Sequence, residues 1–268
     1  MFIAVCSDKH FFVRKRITKI LTVNSKHNMT LEEIIHYRRS VRHYKDLPLD
    51  SEKVKHCLEL ATLAPNSSNM QLWEFYHITS PDVLKELAVA CLNQPTATTA
   101  QQLVVFVTRR DLFRKRAKAV MELETQNILK NSPKERQEKR IKDRKLYYGK
   151  VMPFLYSRFL GILGIFRKIM VNIIGLFRTI TYQVSENDVR VVVHKSCALA
   201  VQTFLLAMSN EKYDTCAMEG FDSKKVKRIL KLPKGAEVNM IISCGIREER
   251  GVWGDRMRVP FDEVYKRV

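Results

Sequence analysis

The sequence lacks the short glycine-containing loops that mark many nucleotide-binding proteins. Only nine of its 268 residues are glycine, and it contains neither a GxGxxG segment opening a helix nor a GxxxxGK[ST] segment. The motifs of a Rossmann dinucleotide-binding fold and of a P-loop nucleotidase are therefore both absent. The HExxH zinc motif and the GxSxG nucleophile elbow are also missing. The sequence thus gives no motif of a zinc protease or of an α/β-hydrolase.

The six cysteines are widely spaced and form no CxxC pair. Metal-binding cysteines occur at short, regular spacings, so we expect no metal site. A chain of 268 residues with 46% hydrophobic residues can bury a sizeable core without disulfide bonds. We therefore expect a single domain with reduced thiols and a cytoplasmic location.

The net charge is +19, which ordinarily indicates nucleic acid, acidic lipid or an acidic partner. The excess of basic over acidic residues lies in two segments of the chain. Residues 1–28 hold six Lys and Arg against one acid, and residues 109–178 hold nineteen against six. The remainder is almost neutral, with 22 basic and 21 acidic residues. We therefore expect no nucleic-acid-binding core. A basic adaptor that binds nucleic acid through residues 109–150 is the alternative, and its binding should fall steeply with salt.

Residues 1–28 are predicted to be a basic extension of the folded domain. Met29 is followed by Thr30-Leu31-Glu32-Glu33, a capping box that begins a helix. One hypothesis is that translation starts at Met29 and that residues 1–28 are absent from the native protein. The domain is then residues 29–268, with a basic and amphipathic insertion at about 109–184.

Residues 151–181 are apolar but contain no uncharged span of 18 residues, because four cations interrupt the run: Arg158, Arg167, Lys168 and Arg178. We therefore do not expect a transmembrane helix. Two interpretations stay open. The apolar face packs over the core or a partner subunit, or the segment lies in a membrane interface as a peripheral contact.

Hydrophobic periodicity and capping residues predict the main helices and strands. Helices are predicted at about 31–37, 50–63, 80–91 and 185–210, and residues 109–150 are helical in pattern with a break at 131–133. Strands are predicted at 72–79, 103–108 and 237–244. The helix at 185–210 is more apolar than a monomer surface needs, which is consistent with a dimer.

The segment Tyr37–Tyr44, YRRSVRHY, places three arginines and a serine within five residues. Arginines this close cannot neutralise one another, and each guanidinium can donate two parallel hydrogen bonds to a phosphate or a carbonyl edge. Taken alone, the segment is equally compatible with a solvated helix end and with an anion site. A second pair, Arg256 and Arg258, occurs near the end of the chain.

Four dispersed motifs occur in a fixed order: RRSVR at 38–42, PNSSNMQ at 65–71, MEGFD at 218–222 and RMRVP at 256–260. In this order they resemble the nitroreductase family of flavin mononucleotide (FMN) enzymes, over residues 29–108 and about 185–268. The resemblance implies an α+β, nitroreductase-like sandwich with a mostly antiparallel central sheet flanked by helices. It also implies an interleaved homodimer with two flavins at the interface.

The resemblance further implies which residues bind FMN. The phosphate and the pyrimidine edge of the ring would be bound by two arginine-rich segments, through Arg38, Arg39, Ser40, Arg42, Arg256 and Arg258. The PNSSNMQ loop would reach the flavin from the other subunit, through Asn66, Ser67 and Asn69. Backbone N–H groups of Glu219 and Gly220 would lie near flavin N5, and Asn93 would contact the ring.

The implied function is transfer of hydride from NADH or NADPH through flavin N5 to an electron-poor acceptor of the nitroaromatic or quinone type, in ping-pong order. The cofactor carries this chemistry, so no catalytic side chain and no metal are expected. Two alternatives are a membrane-surface flavoprotein that reduces a lipophilic acceptor and a non-catalytic flavin- or anion-binding module.

Overall fold

The computed structural model describes residues 29–268, so the predicted extension at residues 1–28 lies outside the described part of the chain. The helices are α1 (Leu31–Tyr37), α2 (Ser51–Ala61), α3 (Pro81–Ala90), α4 (Pro95–Thr98), α5 (Phe113–Asn131), α6 (Lys134–Leu146), α7 (Met152–Tyr156), α8 (Ile162–Gly175), α9 (Glu186–Asn210), α10 (Ser223–Ile229) and α11 (Phe261–Val264). The strands are β1 (Trp73–Ile78), β2 (Gln102–Thr108), β3 (Asp214–Met218) and β4 (Glu237–Gly245).

The helix starts follow from their capping residues. Thr30 and Glu33 form a capping box at α1, and Ser185 and Asp188 form another at α9. Asp50 accepts two backbone N–H groups at the start of α2. Each cap satisfies donors that the first helical turn leaves unpaired. Helix α4 was not predicted, since its four residues are too few to show a helical period.

The four strands form one antiparallel sheet in the order β1-β2-β4-β3. Phe106 of β2 lies opposite Phe75 of β1 and Met240 of β4, and the register between β2 and β4 shifts by a bulge just after Phe106. Thr215 of β3 lies opposite Cys244 of β4. The predicted mostly antiparallel sheet is confirmed.

Helices cover both faces of the sheet because the buried strand β2 is apolar on both sides. Successive side chains of a strand point to opposite faces. Val104 and Phe106 belong to a core shared with α2 and α9, whereas Leu103, Val105 and Val107 belong to a core shared with α3 and α10. The result is the predicted α+β sandwich.

Helix α9 is the one described helix that is long and apolar enough to cross a membrane. Its buried side chains include Cys197, Val201 and Phe204, and they pack in the core against the sheet and α2. Other apolar side chains of this helix, including Val191 and Leu199, stay exposed in the single chain.

Residues 109–184 form a helical layer against one end of the sandwich. Tyr148, Met152 and Tyr156 join a third apolar cluster with Met70 and Leu72, next to β1. The interpretation that the apolar face of 151–181 packs over the core is therefore correct for α7. Helix α8 does not pack over the core in this way, because its large apolar side chains are mostly exposed in the single chain. Packing of α8 against a partner subunit stays a prediction.

Candidate functional site

Two segments from opposite ends of the chain form a cleft that contains five arginines, which we call the arginine cleft. One is residues 38–42, which follow α1, and the other is residues 252–258, near the C-terminus. The cleft has a volume of about 280 Å³. Its lining residues are Arg38, Arg39, Ser40, Arg42, Val252, Trp253, Asp255, Arg256, Met257 and Arg258. The structure thus brings together all six residues that the resemblance implied for binding the phosphate and the pyrimidine edge of the flavin.

The side chain of Arg256 connects the C-terminal segment to helix α1 by hydrogen bonds. Its Nη2 donates to the carbonyl oxygens of Ile35 at 3.1 Å and His36 at 3.2 Å, and also to that of Arg38. The last carbonyls of a helix have no partner within it, and a cation there also interacts favourably with the helix dipole. Arg256 therefore positions residues 252–258 beside the end of α1.

The five arginines of this cleft form no ion pair with a carboxylate among residues 29–268. The arginines that form ion pairs there are others, namely Arg109, Arg144, Arg190, Arg247 and Arg250. The pKa of Arg38 is lowered from its ordinary value, first by burial and then by repulsion from Arg256 and Arg258. An anion in the cleft would oppose both effects, because a nearby negative charge favours the charged form of the guanidinium. The arginine cleft is therefore suited to an anion.

Trp253 also lines the arginine cleft, although none of the four motifs contains it. The guanidinium carbon of Arg42 lies 4.6 Å from the centre of the Trp253 ring, within cation–π distance. Stacking on a ring face leaves the N–H groups at the edge of the guanidinium free for an anion. The sequence signal is Gly251-Val252-Trp253-Gly254, which places a tryptophan between two glycines just before the late arginine pair.

Strand β3 connects the arginine cleft to Glu219 and Gly220, which we call the Glu-Gly step. Ser40 forms a parallel bridge to Thr215 of β3. Burial raises the pKa of the next residue, the Cys216 thiol, and the nearby arginines of the cleft partly oppose this. Glu219 and Gly220 follow the strand and are exposed. From Thr215 to Glu219 the extended chain covers four residues, or about 13 Å, so the arginine cleft and the Glu-Gly step lie within reach of one small ligand.

Gln94, the neighbour of the predicted ring contact Asn93, binds the Glu-Gly step through its side chain. Gln94 Nε2 donates to the carbonyl oxygens of Gly220 at 2.7 Å and Cys91 at 3.0 Å. Asn93 is exposed, has a φ of 52° and lines a separate groove beside α3. The structure does not bring Asn93 into the arginine cleft, and its contact with a flavin ring stays a prediction.

The loop Pro65–Gln71 does not line the arginine cleft of its own chain. Its amide groups bind one another: Asn66 Oδ1 accepts the Gln71 N–H at 2.9 Å, and Gln71 Nε2 donates to Asn69 Oδ1 at 3.1 Å. The Ser67 N–H donates to Ser196 Oγ of α9 at 3.2 Å. Contact of Asn66, Ser67 and Asn69 with a flavin of the partner subunit stays a prediction.

The insertion holds this loop in a strained conformation. Ser68, Asn69 and Gln71 have φ values between 46° and 52°, a region that non-glycine residues rarely adopt. Tyr147 Oη lies 2.8 Å from Ser68 Oγ, and Tyr148 Oη donates to the Ser68 carbonyl oxygen at 3.0 Å. Such strain persists only where the surroundings fix it, so part of the insertion serves as a support for the loop.

Comparison with known proteins agrees with this geometry. Residues 35–246 match the family model of the nitroreductase family. The protein DrgA of Synechocystis is 26% identical over 218 residues, which cover 81% of this chain and 84% of that protein. A structure from Exiguobacterium sibiricum in complex with FMN has a TM-score of 0.63 and 20% identity, and the match covers 91% of this chain and all of that one.

An NADPH:FMN oxidoreductase from Vibrio harveyi, complexed with NAD⁺, is similar at a TM-score of 0.55 and 15% identity, with 88% of this chain and 76% of that one covered. The fold, the arginine cleft and the family match define an NAD(P)H-dependent flavin oxidoreductase with FMN as its cofactor. The chain belongs to the nitroreductase family. The family predicted from the four motifs is therefore confirmed.

Proposed function

We propose that the chain binds FMN with the phosphate in the arginine cleft and uses it to reduce a small electron-poor acceptor, a nitroaromatic or a quinone, at the expense of NADH or NADPH. The observation that carries the proposal is the group of five arginines without an ion-pair partner among the described residues. A dianionic phosphate bound without a glycine-rich loop needs cations, and arginine forms two parallel bonds to it.

The size of the arginine cleft fits one end of FMN. At about 280 Å³ it is slightly smaller than the 300–1,000 Å³ typical of whole ligand sites. It therefore suits the phosphate and the adjoining ribityl chain. Strand β3 then leads over about 13 Å from Thr215 to Glu219 and Gly220, where backbone N–H groups would face the ring. Gln94 fixes this step through the Gly220 carbonyl.

The remainder of the site would come from a second copy of the chain. In a homodimer, loop Pro65–Gln71 of one subunit would lie against the flavin held by the other. The exposed apolar side chains of α9, Val191 and Leu199, are available to such an interface. The loop is fixed by Tyr147 and Tyr148 before any partner binds, which lowers the conformational cost of assembling the site.

Bound FMN would supply the hydride-transfer chemistry. The protein needs no catalytic acid or base for this. Arginines of the cleft would neutralise the phosphate, and N–H groups at Glu219 and Gly220 would orient the ring. Burial raises the pKa of the Cys216 thiol, and the positive charges of Arg42 and Arg38 only partly oppose this. The thiol therefore stays neutral at pH 7 and offers no competing nucleophile.

The test is a flavin spectrum followed by an anaerobic titration. Purified protein saturated with FMN should show a bound-flavin spectrum that bleaches on adding NADH or NADPH, and a quinone or nitroaromatic should restore the colour in a second step. Binding without bleaching would favour the non-catalytic flavin-binding module. A protein that takes up no FMN would overturn the proposal. We expect the enzyme in the cytoplasm, where both nicotinamide donors are present.

A further inference from the structure

Helix α8 is amphipathic, but its charged side faces the protein. Arg167, at its centre, is 1% exposed. Its Nε donates to the carbonyl oxygen of Val184 at 2.7 Å, and its Nη1 donates to those of Phe154 at 2.9 Å and Ser157 at 3.1 Å. A buried guanidinium that meets three carbonyl oxygens is a fixed contact. The helix is therefore held by its charged side.

Two further contacts fix the same orientation. Gly164 lies so close to α9 that a Cβ atom on it would be 2.8 Å from the backbone nitrogen of Glu186. Lys168 forms an ion pair with Asp188 at 3.2 Å. Rotation of α8 about its axis would break all three contacts, so its other side cannot turn inward.

The side that faces away from the protein is strongly apolar. Seven side chains on and just after α8 are each more than half exposed: Ile162, Ile165, Phe166, Ile169, Ile173, Leu176 and Phe177. We refer to these seven as the outer face. Isolated exposed apolar residues are common, but a contiguous group marks a surface that binds something.

The surroundings of the outer face are basic. Residues 144–185 contain seven Lys and Arg and no Asp or Glu. Lys150, Arg158 and Arg178 are not buried, and none of them forms an ion pair within residues 29–268. If two copies of the chain met symmetrically through this face, the same unpaired cations would face and repel each other. An anionic surface would instead attract them.

We propose that the outer face lies in the interface of an anionic lipid bilayer, with Lys150, Arg158 and Arg178 at the level of the headgroups. Amphipathic helices of this kind insert their apolar side by about 5–10 Å. Helix α8 has 14 residues and so extends about 21 Å, which is shorter than the hydrocarbon core of about 30 Å. The helix therefore lies on the membrane and does not span it. The docking requires no flavin, so it does not rest on the proposed function.

The test is flotation of the full, FMN-loaded chain with two kinds of vesicle, one of phosphatidylcholine alone and one with about one-third phosphatidylglycerol. We expect binding to the anionic vesicles. The double variant Ile165→Glu/Ile169→Glu should weaken it at least ten-fold. Leu123→Glu/Leu129→Glu is the matched control, since these leucines are exposed to a similar degree on α5. It should change binding less than three-fold.

A second pair of variants tests the cations. Each basic residue near an anionic surface contributes roughly five-fold to binding, so Arg158→Gln/Arg178→Gln should weaken binding to anionic vesicles about 25-fold. Lys139→Gln/Lys142→Gln removes the same charge from exposed positions of α6. It should have a much smaller effect. Equal effects of the two charge variants would show general electrostatic attraction and would overturn the proposed site.

Folding and alternative occupants are checked separately. FMN content and bleaching by NADPH should be unchanged in Ile165→Glu/Ile169→Glu. The mass of the protein in solution, measured by light scattering, should also be unchanged, and a fall in mass would identify a second copy as the occupant. Hydrogen exchange of the unaltered protein should slow on vesicles only within residues 150–178. Wild-type binding by Ile165→Glu/Ile169→Glu, or protection elsewhere, would overturn the proposal.

Discussion

The guanidinium of Arg256 donates a hydrogen bond to the carbonyl oxygen of Arg38, 218 residues earlier in the chain. This bond joins two arginine-rich segments, and the pKa of Arg38 is lowered first by burial and then by repulsion from Arg256 and Arg258. The C-terminal carbonyls of α1 offset part of the repulsion by binding Arg256. Arg256 therefore positions the two segments that form the cleft. The side chain of Arg38 has no hydrogen-bond partner among the described residues and is available to an anion.

Arg38→Ala and Arg258→Ala should each weaken FMN binding while the protein stays folded. A hydrogen bond to a charged group contributes about 1.5–3 kcal/mol, so the dissociation constant should rise about 10- to 100-fold. Titration by quenching of flavin fluorescence measures it. Arg250→Ala is the matched control, because Arg250 is an exposed arginine of the same C-terminal region outside the cleft. Wild-type affinity in either cleft variant would show that the phosphate binds elsewhere.

The same substitution at Arg38 should not destabilise the FMN-free protein. Burial and then repulsion from Arg256 and Arg258 lower the pKa of Arg38, and removing its guanidinium removes both unfavourable effects. We therefore expect a melting temperature without FMN that is equal to or higher than that of the wild type, and a smaller rise on adding FMN. Thermal unfolding with and without the cofactor measures both. A large loss of stability without FMN would assign Arg38 a structural role.

Arg256 should behave differently, because its side chain binds the protein itself. Arg256→Ala leaves three carbonyl oxygens at the end of α1 without this donor. We expect a loss of about 1–2 kcal/mol in the free energy of unfolding, in addition to weaker FMN binding. Urea denaturation of the FMN-free protein measures the loss. If Arg256→Ala costs no more stability than Arg38→Ala, the helix-capping role is wrong.

The sequence predicted those parts of the fold and site that depend on local patterns. Capping residues at Thr30, Asp50 and Ser185 predicted three helix starts. The arginine motifs predicted the cleft, because clustered cations need an anion wherever the chain places them. Gln94 was missed because its role is a contact with Gly220, 126 residues later, and no local pattern contains that contact.

The orientation of α8 also could not be predicted from its sequence. Periodicity shows which residues share a side of a helix, but not which side faces the protein. The usual assumption places the apolar side inward. Here three carbonyl oxygens of residues 154–184 converge on Arg167 and hold the opposite side inward. That convergence is a tertiary feature. The homodimer likewise stays a prediction, since a second chain is needed to test it.

Glu237 should make the protein more sensitive to acid. Its pKa is lowered from 4.5 to about 2, first by the hydrogen bond from His194 and then also by Arg190. A carboxyl group with a lowered pKa stabilises the folded state above its unfolded pKa, and this stability is lost as the pH falls from about 4.5 towards 2. Glu237→Gln should be less stable than the wild type at pH 7, and the difference should shrink below pH 4.5. Urea denaturation at a series of pH values measures it, and a constant difference over this range would contradict the assignment.

Arg167→Met should loosen the insertion without unfolding the sheet. The change leaves the carbonyl oxygens of Phe154, Ser157 and Val184 without this donor. A buried group left unpaired costs about 1–3 kcal/mol, so hydrogen exchange within residues 154–184 should accelerate at least ten-fold. Exchange in β2 and β4 should not change. Arg178→Met, at an exposed arginine, is the control. Equal protection in the two variants would show that Arg167 does not hold α8.

Alanine substitutions at two glycines of the insertion should have opposite effects on stability. A Cβ on Gly164 would lie 2.8 Å from the backbone nitrogen of Glu186. A backbone atom cannot move aside as a flexible side chain can, so α8 must shift, at a cost of about 1–3 kcal/mol. Gly149 lies in the helical turn Tyr147–Val151, where an added Cβ atom would meet no neighbouring atom within 4 Å.

Gly149→Ala should therefore stabilise the protein by about 0.5–1 kcal/mol, because alanine favours the helix more than glycine does. Urea denaturation measures the free energy of unfolding of both variants. Because Gly164 also sets the contact between α8 and α9, Gly164→Ala should displace the outer face and weaken vesicle binding, whereas Gly149→Ala should leave vesicle binding unchanged. Two variants with the same sign of stability change would show that α8 does not pack against α9 through Gly164.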